Sequence, residues 1–208
     1  MLNNACLPIP GTSRIPIDKN CLNNIELYWD FIQSTNATVL ISSRWRLHLE
    51  GDRFNNNEGG VEYGVNGLHK VISNNENIFS YVEKSLQKLS KNNDILIIDQ
   101  IPEAGWNVPS RNSRILKLNK STKDISTSYD VYLKANQRVN SLFNNLSKEY
   151  GIEVLNTSEL VCNTKYSGRC MNTINGYSLY RDDDHPSPYY SELISNEAQL
   201  RIFNYLAL

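Results

Sequence analysis

Apolar side chains recur along the chain with two alternating periods, one typical of amphipathic helices and one typical of buried strands. Helical spacing covers four stretches, at residues 22–34, 78–90, 129–150 and 189–206. Short apolar and largely β-branched runs lie between them, at residues 38–42, 94–98 and 152–155. Strands separated by helices of this length indicate parallel βαβ units, so the pattern predicts an α/β fold built on a parallel sheet.

Three loops leave the carboxyl ends of these predicted strands, where parallel α/β sheets form their sites. The loops begin at Ser42, Ile101 and Asn156, and we expect them to share one rim. The polar, Gly-rich stretch at 50–67 predicts a long surface excursion. Asparagine clusters, such as the run at 55–57, predict solvated turns.

Length and charge narrow the possible roles. The chain has 208 residues, with 21 basic and 22 acidic side chains and a formal net charge of −1. This length suits one core, and no repeat or linker divides it, so we expect a single domain over residues 1–208. The balanced charge argues against nucleic acid as a partner. No apolar run reaches the ~20 residues of a membrane-spanning helix, and the first residues do not resemble a signal peptide. These features alone predict a cytoplasmic protein.

The four cysteines argue for a different compartment. Cys6 and Cys21 lie close together in a Pro-rich opening segment, and Cys162 and Cys170 lie close together in a polar one. Among three connectivities, the spacing favours Cys6–Cys21 and Cys162–Cys170, because each pair closes a short loop. Four unpaired thiols are one alternative; a zinc site is another, although no Cys-x-x-Cys supports it. Disulfides persist in oxidising compartments, so this pairing predicts a periplasmic or extracellular location.

An acidic turn ending in histidine precedes the last predicted helix. Asp182 stands three residues ahead of His185, so its carboxylate could accept the Nδ1 proton and leave Nε2 as a general base. A solvated turn that caps the helix is one alternative. A cation site formed by Asp182, Asp183 and Asp184 with a further oxygen is another.

Five blocks of sequence follow one another in a distinctive order. They are CLPIP from Cys6, VLISSRW from Val39, IPEAGWNVP from Ile101, the second cysteine pair, and LYRDDDH from Leu179. In this order they resemble the SGNH (GDSL-like) esterase and acyltransferase family. The resemblance is to the extracytoplasmic domain at the C-terminus of multi-spanning membrane O-acyltransferases, and it covers nearly the whole chain.

The resemblance implies a three-layer, flavodoxin-like parallel sheet and a Ser-His-Asp mechanism. Such a domain transfers an acyl group, usually acetyl, to a cell-surface carbohydrate such as a lipopolysaccharide sugar. Its partners would be that carbohydrate and the multi-spanning membrane domain of the parent chain, and it would need no cofactor and no metal. The expected location is the periplasmic or extracytoplasmic face of the inner membrane.

The resemblance also assigns candidate residues. Asp182 would orient His185, and His185 would act as the base. Arg44 and Trp45 follow a predicted strand, where a guanidinium and an indole could hold a sugar; Asn107 would project on the same rim. The alternative for Trp45 is packing on the domain surface with Arg44 stacked over it.

One block of the family has no counterpart. The family's nucleophile is the serine of a Gly-Asp-Ser block at the end of the first strand, upstream of the Cys-Pro segment. Here that segment begins at Cys6, and the one Gly-Asp pair, Gly51-Asp52, is followed by Arg53. We therefore expect an N-terminally truncated domain that lacks the first strand and the nucleophile, and that is inactive as written. A carbohydrate O-acetyl esterase and a non-catalytic remnant are the alternatives.

Overall fold

Helices and strands alternate through the computed structural model, which describes residues 6–64, 67–73, 76–118 and 124–206. The helices are α1 (Lys19–Gln33), α2 (Trp45–Glu50), α3 (Ile78–Leu89), α4 (Val108–Lys117), α5 (Tyr129–Ala135), α6 (Gln137–Tyr150), α7 (Ser158–Val161) and α8 (Pro188–Leu206). The strands are β1 (Thr12–Arg14), β2 (Thr38–Ser42), β3 (His69–Val71), β4 (Asp94–Ile98), β5 (Ser126–Ser128), β6 (Glu153–Leu155), β7 (Arg169–Met171), β8 (Thr173–Ile174) and β9 (Tyr177–Ser178).

The three strands with the strongest apolar runs form a parallel sheet in the order β2-β4-β6. The register pairs Ser42 with Ile98 and Ile98 with Leu155, so the carboxyl ends of all three strands lie at one edge. Four successive residues of the central strand β4 are buried, as is typical of a parallel strand covered on both faces. The predicted α/β fold with a parallel sheet is confirmed.

Amphipathic spacing decides which helix faces are buried. Cys21, Ile25 and Trp29 form the buried stripe of α1 at steps of four, and Val82 and Leu86 begin that of α3. Both helices lie where the period predicted them. Within the described ranges, no helix is long and apolar enough to cross a membrane.

The long helix predicted over 129–150 is instead two helices. Asn136 ends α5, and its buried Nδ2 donates to the carbonyl oxygen of Tyr132 at 2.9 Å. A side chain that bonds its own backbone competes with helix propagation. The sequence pattern does not predict the helices α2, α4 and α7 or the three short antiparallel pairs β1–β3, β5–β7 and β8–β9.

The stretch at 50–67 is anchored at its centre, contrary to the prediction of a simple surface excursion. Phe54 and Asn56 are fully buried, and Glu62 is 4% exposed. The expectation that Asn56 lies in a solvated turn is therefore wrong, although its neighbours Asn55 and Asn57 are exposed.

The chain divides into two compact units, each assembled from three segments. Unit 1 comprises Met1–Asp52, Asn66–Gln100 and Arg138–Leu155; unit 2 comprises Arg53–Val65, Ile101–Gln137 and Asn156–Leu208. Unit 1 contains the parallel sheet, and unit 2 contains the acidic turn at 180–185. The expectation of one domain over residues 1–208 stays a prediction.

Both cysteine pairs form disulfides. Cys6 is joined to Cys21 in unit 1, and Cys162 is joined to Cys170 in unit 2. The first links the Pro-rich opening segment to α1, and the second links the end of α7 to β7. The connectivity is the one favoured by the spacing.

Candidate active site

The acidic turn is a closed loop at the start of the last helix. A backbone bridge joins Tyr180 to Pro186, and the Arg181 N–H donates to the His185 carbonyl at 2.9 Å. Ser187 follows, and its side chain accepts a backbone N–H from the first turn of α8, as N-cap serines do. The chain thus reverses direction over residues 180–186, the segment that carries Asp182 and His185.

Asp182 and His185 are brought together as the sequence predicts. Nδ1 of His185 lies 2.9 Å from Oδ2 of Asp182, and the other carboxylate oxygen accepts the backbone N–H of His185 at 2.8 Å. The His185 side chain is 51% exposed. With Nδ1–H donated to the carboxylate, the imidazole keeps its Nε2 lone pair for a proton from a substrate.

Electrostatics keeps Asp182 ionised. Its partial burial alone would raise the pKa of this carboxyl, but the backbone N–H groups of His185 and Asp184 donate to it, and the net pKa is lowered. The carboxylate is therefore available as a hydrogen-bond acceptor at neutral pH.

A second carboxylate, which sequence reasoning considered only as a cation ligand, contacts the same ring nitrogen. Oδ1 of Asp184 lies 3.1 Å from Nδ1 of His185, and the Asp184 side chain is only 6% exposed. Its place two residues after Asp182 in the DDDH run is the signal that was present, but burial toward His185 could not be read from the sequence.

Two other loops of unit 2 hold this turn, one through its backbone carbonyls and one through the Asp183 side chain. The N–H groups of Ala104 and Val108 donate to the carbonyls of Asp183 and Asp182 at 3.0 and 2.9 Å. The N–H of Tyr63 donates to Oδ2 of Asp183 at 2.9 Å. The turn is therefore fixed from two sides, which favours a preorganised Asp-His pair over a freely solvated turn.

The same side chains bear on the cation alternative. Ligand atoms of Asp182, Asp184 and His185 lie within 4.8 Å of one another. Both carboxylates already contact Nδ1 of His185, and Asp183 accepts from Tyr63. These contacts account for the clustering without a metal ion.

Comparison with known proteins shows the family of the chain. A family model described as "SGNH domain (fused to AT3 domains)" matches residues 1–199. The chain belongs to this SGNH family. A search of the curated proteins gives no match.

A solved structure resembles the SGNH domain in fold. It is the periplasmic domain of the lipopolysaccharide acetyltransferase of Salmonella ser. Paratyphi A, with a TM-score of 0.53 and 17% sequence identity. The alignment covers 88% of this chain and 62% of that one. At this identity the likeness shows a shared fold, and the chain spans less than two thirds of its neighbour.

Two predicted substrate residues of the SGNH domain belong to unit 1, at the carboxyl end of β2. Trp45 is fully buried, its Nε1 donates to the Ile98 carbonyl at 2.8 Å, and its ring packs edge-on against Phe143. An indole with no exposed surface cannot contact a sugar, so Trp45 is a core residue and not a substrate residue. Arg44 is half-buried directly before α2, and its role toward a ligand stays a prediction.

Asn107, the third predicted substrate residue, lies in unit 2 on one of the loops that hold the acidic turn. It is exposed and caps α4, because its Oδ1 accepts the Ser110 N–H at 2.9 Å. Capping occupies the carboxamide oxygen, so any contact with a ligand would fall to Nδ2. That contact stays a prediction.

Proposed function

We propose that this SGNH domain takes part in the transfer of an acyl group, most simply acetyl, to a hydroxyl of a cell-surface carbohydrate. Its family is described as fused to AT3 domains, which are membrane acyltransferase domains, and its structural neighbour is part of a lipopolysaccharide acetyltransferase. The two disulfides agree with an extracytoplasmic site of action.

One observation carries the proposal, the 2.9 Å contact between Asp182 Oδ2 and His185 Nδ1. Asp182 fixes the tautomer in which Nε2 accepts a proton. His185 takes the proton of the acceptor hydroxyl while that oxygen attacks the acyl carbonyl. The new sugar ester bond forms, the bond to the donor oxygen breaks, and His185 returns its proton to that oxygen.

The donor oxygen is a serine in this proposal. Within the 208 residues no Gly-Asp-Ser block occurs, so the proposal assigns the serine and its oxyanion donors to a part of the parent protein outside this sequence. What the SGNH domain contributes is the base, its orienting carboxylates and contacts to the acceptor. Asn107, in the same unit as His185, is the candidate for those contacts; Arg44 stays a candidate on the sequence alone.

A carbohydrate O-acetyl esterase would use the same base with water in place of the sugar hydroxyl. The direction of change in cells separates the two. We expect deletion of the gene for the full-length protein to remove O-acetyl groups from the surface polysaccharide, measured by ¹H NMR of the purified polymer, and a plasmid copy to restore them. An increase on deletion would show an esterase, and an unchanged content would show a non-catalytic domain.

A further inference from the structure

A segment of unit 2 buries a charged side chain and exposes the two side chains that flank it. In the extended run from Val61 to Tyr63, the charged Glu62 is 4% exposed, whereas Val61 is 62% and Tyr63 is 93% exposed. Alternation along an extended chain puts Val61 and Tyr63 on the same face. A buried charge between two exposed side chains is the reverse of the usual arrangement, so the outward face of this segment is a candidate binding surface.

The inversion is stabilised by bonds that position Tyr63. Arg53 forms an ion pair with the buried Glu62 and also donates to the Tyr63 carbonyl at 3.2 Å. The second carboxylate oxygen of Glu62 accepts the Phe54 N–H at 3.1 Å. The backbone that carries the ring is thus held by hydrogen bonds, so little backbone entropy is lost when a ligand packs on the ring.

The same segment is tied to the candidate active site. The Tyr63 N–H donates to Asp183 Oδ2, and Asp183 stands two residues before His185. A second connection is the 2.8 Å hydrogen bond from Asn56 Nδ2 to the Ala104 carbonyl, in the loop whose N–H groups also donate to the turn. The backbone of Tyr63 is therefore held beside the acidic turn by its own N–H group.

We propose that Tyr63, flanked by Val61, is a platform that binds a pyranose ring of the acceptor carbohydrate; this rests on the proposed function. The C–H faces of a pyranose pack against aromatic rings and bury apolar surface. One tyrosine offers about 150–250 Å², which matches a sugar ring and falls well below the ~800 Å² per partner of a stable protein interface. The patch therefore fits a carbohydrate better than a protein surface.

Binding to the 208-residue protein tests the platform directly. The probe is surface polysaccharide of the source organism, released by mild acid and de-O-acylated with alkali, and the readout is retardation in native affinity electrophoresis. We expect Tyr63→Ala to raise the dissociation constant about tenfold. Tyr63→Phe should retain wild-type affinity because the ring remains. Tyr177→Ala is the matched control, since Tyr177 is also exposed, at 73%, and should bind as wild type.

Each outcome has one meaning. Equal affinity of Tyr63→Ala and Tyr177→Ala would overturn the platform, as would absence of retardation for the wild-type protein. Thermal unfolding midpoints of the variants should agree, which separates lost contact from lost fold. The assay measures binding and not chemistry, so it can fail while His185 is still required for O-acetylation in cells, and the proposed function then stands.

Discussion

The three histidines of the chain occupy different surroundings. His185 is half exposed, with two carboxylates on one ring nitrogen. His48 and His69 are buried with ring centroids 4.5 Å apart, and Nδ1 of His48 lies 2.8 Å from Ser43 Oγ. Sequence singled out His185 because its partner Asp182 is local. His48 contacts the hydroxyl of Ser43, and His69 contacts the backbone groups of Leu7 and Gly67, so neither stands beside an acidic residue in the sequence that would single it out.

His69 makes stability depend on pH. Its Nε2 accepts the Leu7 N–H at 3.1 Å, so its Nδ1 carries the proton and donates to the Gly67 carbonyl at 2.8 Å. Burial, aided by the charge of Arg14 and opposed by the Gly67 contact, lowers the pKa of His69 below its ordinary value. As pH falls through ~6.5 the unfolded histidine binds a proton that the folded one refuses, so folding stability is lost.

We therefore expect the free energy of unfolding of the wild-type protein, from urea denaturation, to be lower at pH 5.5 than at pH 7.5. His69→Gln keeps a donor and an acceptor without this titration, so it should flatten the dependence whatever its absolute stability. A variant that keeps the full wild-type pH dependence would contradict this role of His69.

Among the helices and strands, local apolar periodicity predicted those whose buried positions recur within a short stretch of sequence. Helices α1, α3 and α8 and strands β2 and β4 lie within a few residues of their predicted bounds. Helix α4 was missed although Asn107 and a proline mark its start, because its one buried residue, Val108, gives no apolar period. Pairs such as β5–β7 depend on partners more than forty positions away, which no sequence window contains.

One buried asparagine, Asn56, makes several of the hydrogen bonds that hold the loop from Arg53 to Gly64. Oδ1 of Asn56 accepts the N–H groups of Glu58 and Gly60 at 2.8 and 2.9 Å, and its Nδ2 donates to Ala104. Gly60 is required there, since a Cβ would lie 2.7 Å from a Trp106 ring carbon and 2.9 Å from the Gly105 carbonyl oxygen. The backbone thus approaches too closely for any larger residue.

We expect Asn56→Ala to lower the free energy of unfolding by about 2–4 kcal/mol, because it leaves buried backbone groups without partners. Asn55→Ala, one position away and exposed, should cost less than about 1 kcal/mol. Urea denaturation of both variants checks this, and equal effects would show that the buried hydrogen bonds do not hold the loop.

At the scale of the whole molecule, the chain passes five times between the units, after residues 52, 65, 100, 137 and 155. Neither unit is a continuous stretch of sequence, so neither can be isolated by simple truncation. Asp182, His185 and Asn107 belong to unit 2, and Arg44 belongs to unit 1. Motif order recognised the family and the Asp-His pair, whereas the burial of Trp45 emerged only from the packed core.

The net charge and the two disulfides of the chain agree with the proposed extracytoplasmic role. A net charge of −1 offers no general attraction to polyanions, so the proposed binding of a carbohydrate would depend on particular contacts such as those of Tyr63. The two disulfides favour an oxidising compartment.

In the proposed reaction, Asp182 orients His185 as the base for acyl transfer to a surface carbohydrate. The most direct measurement is the O-acetyl content of that carbohydrate, by ¹H NMR, in cells whose sole copy of the full-length protein carries His185→Ala. We expect His185→Ala to lower the O-acetyl content to that of the gene deletion. Asp182→Asn should give an intermediate content, because Asp184 still contacts Nδ1 of His185, and Asp30→Asn, an exposed control, should keep the wild-type content. A wild-type O-acetyl content with His185→Ala, at normal protein abundance, would contradict the proposed reaction.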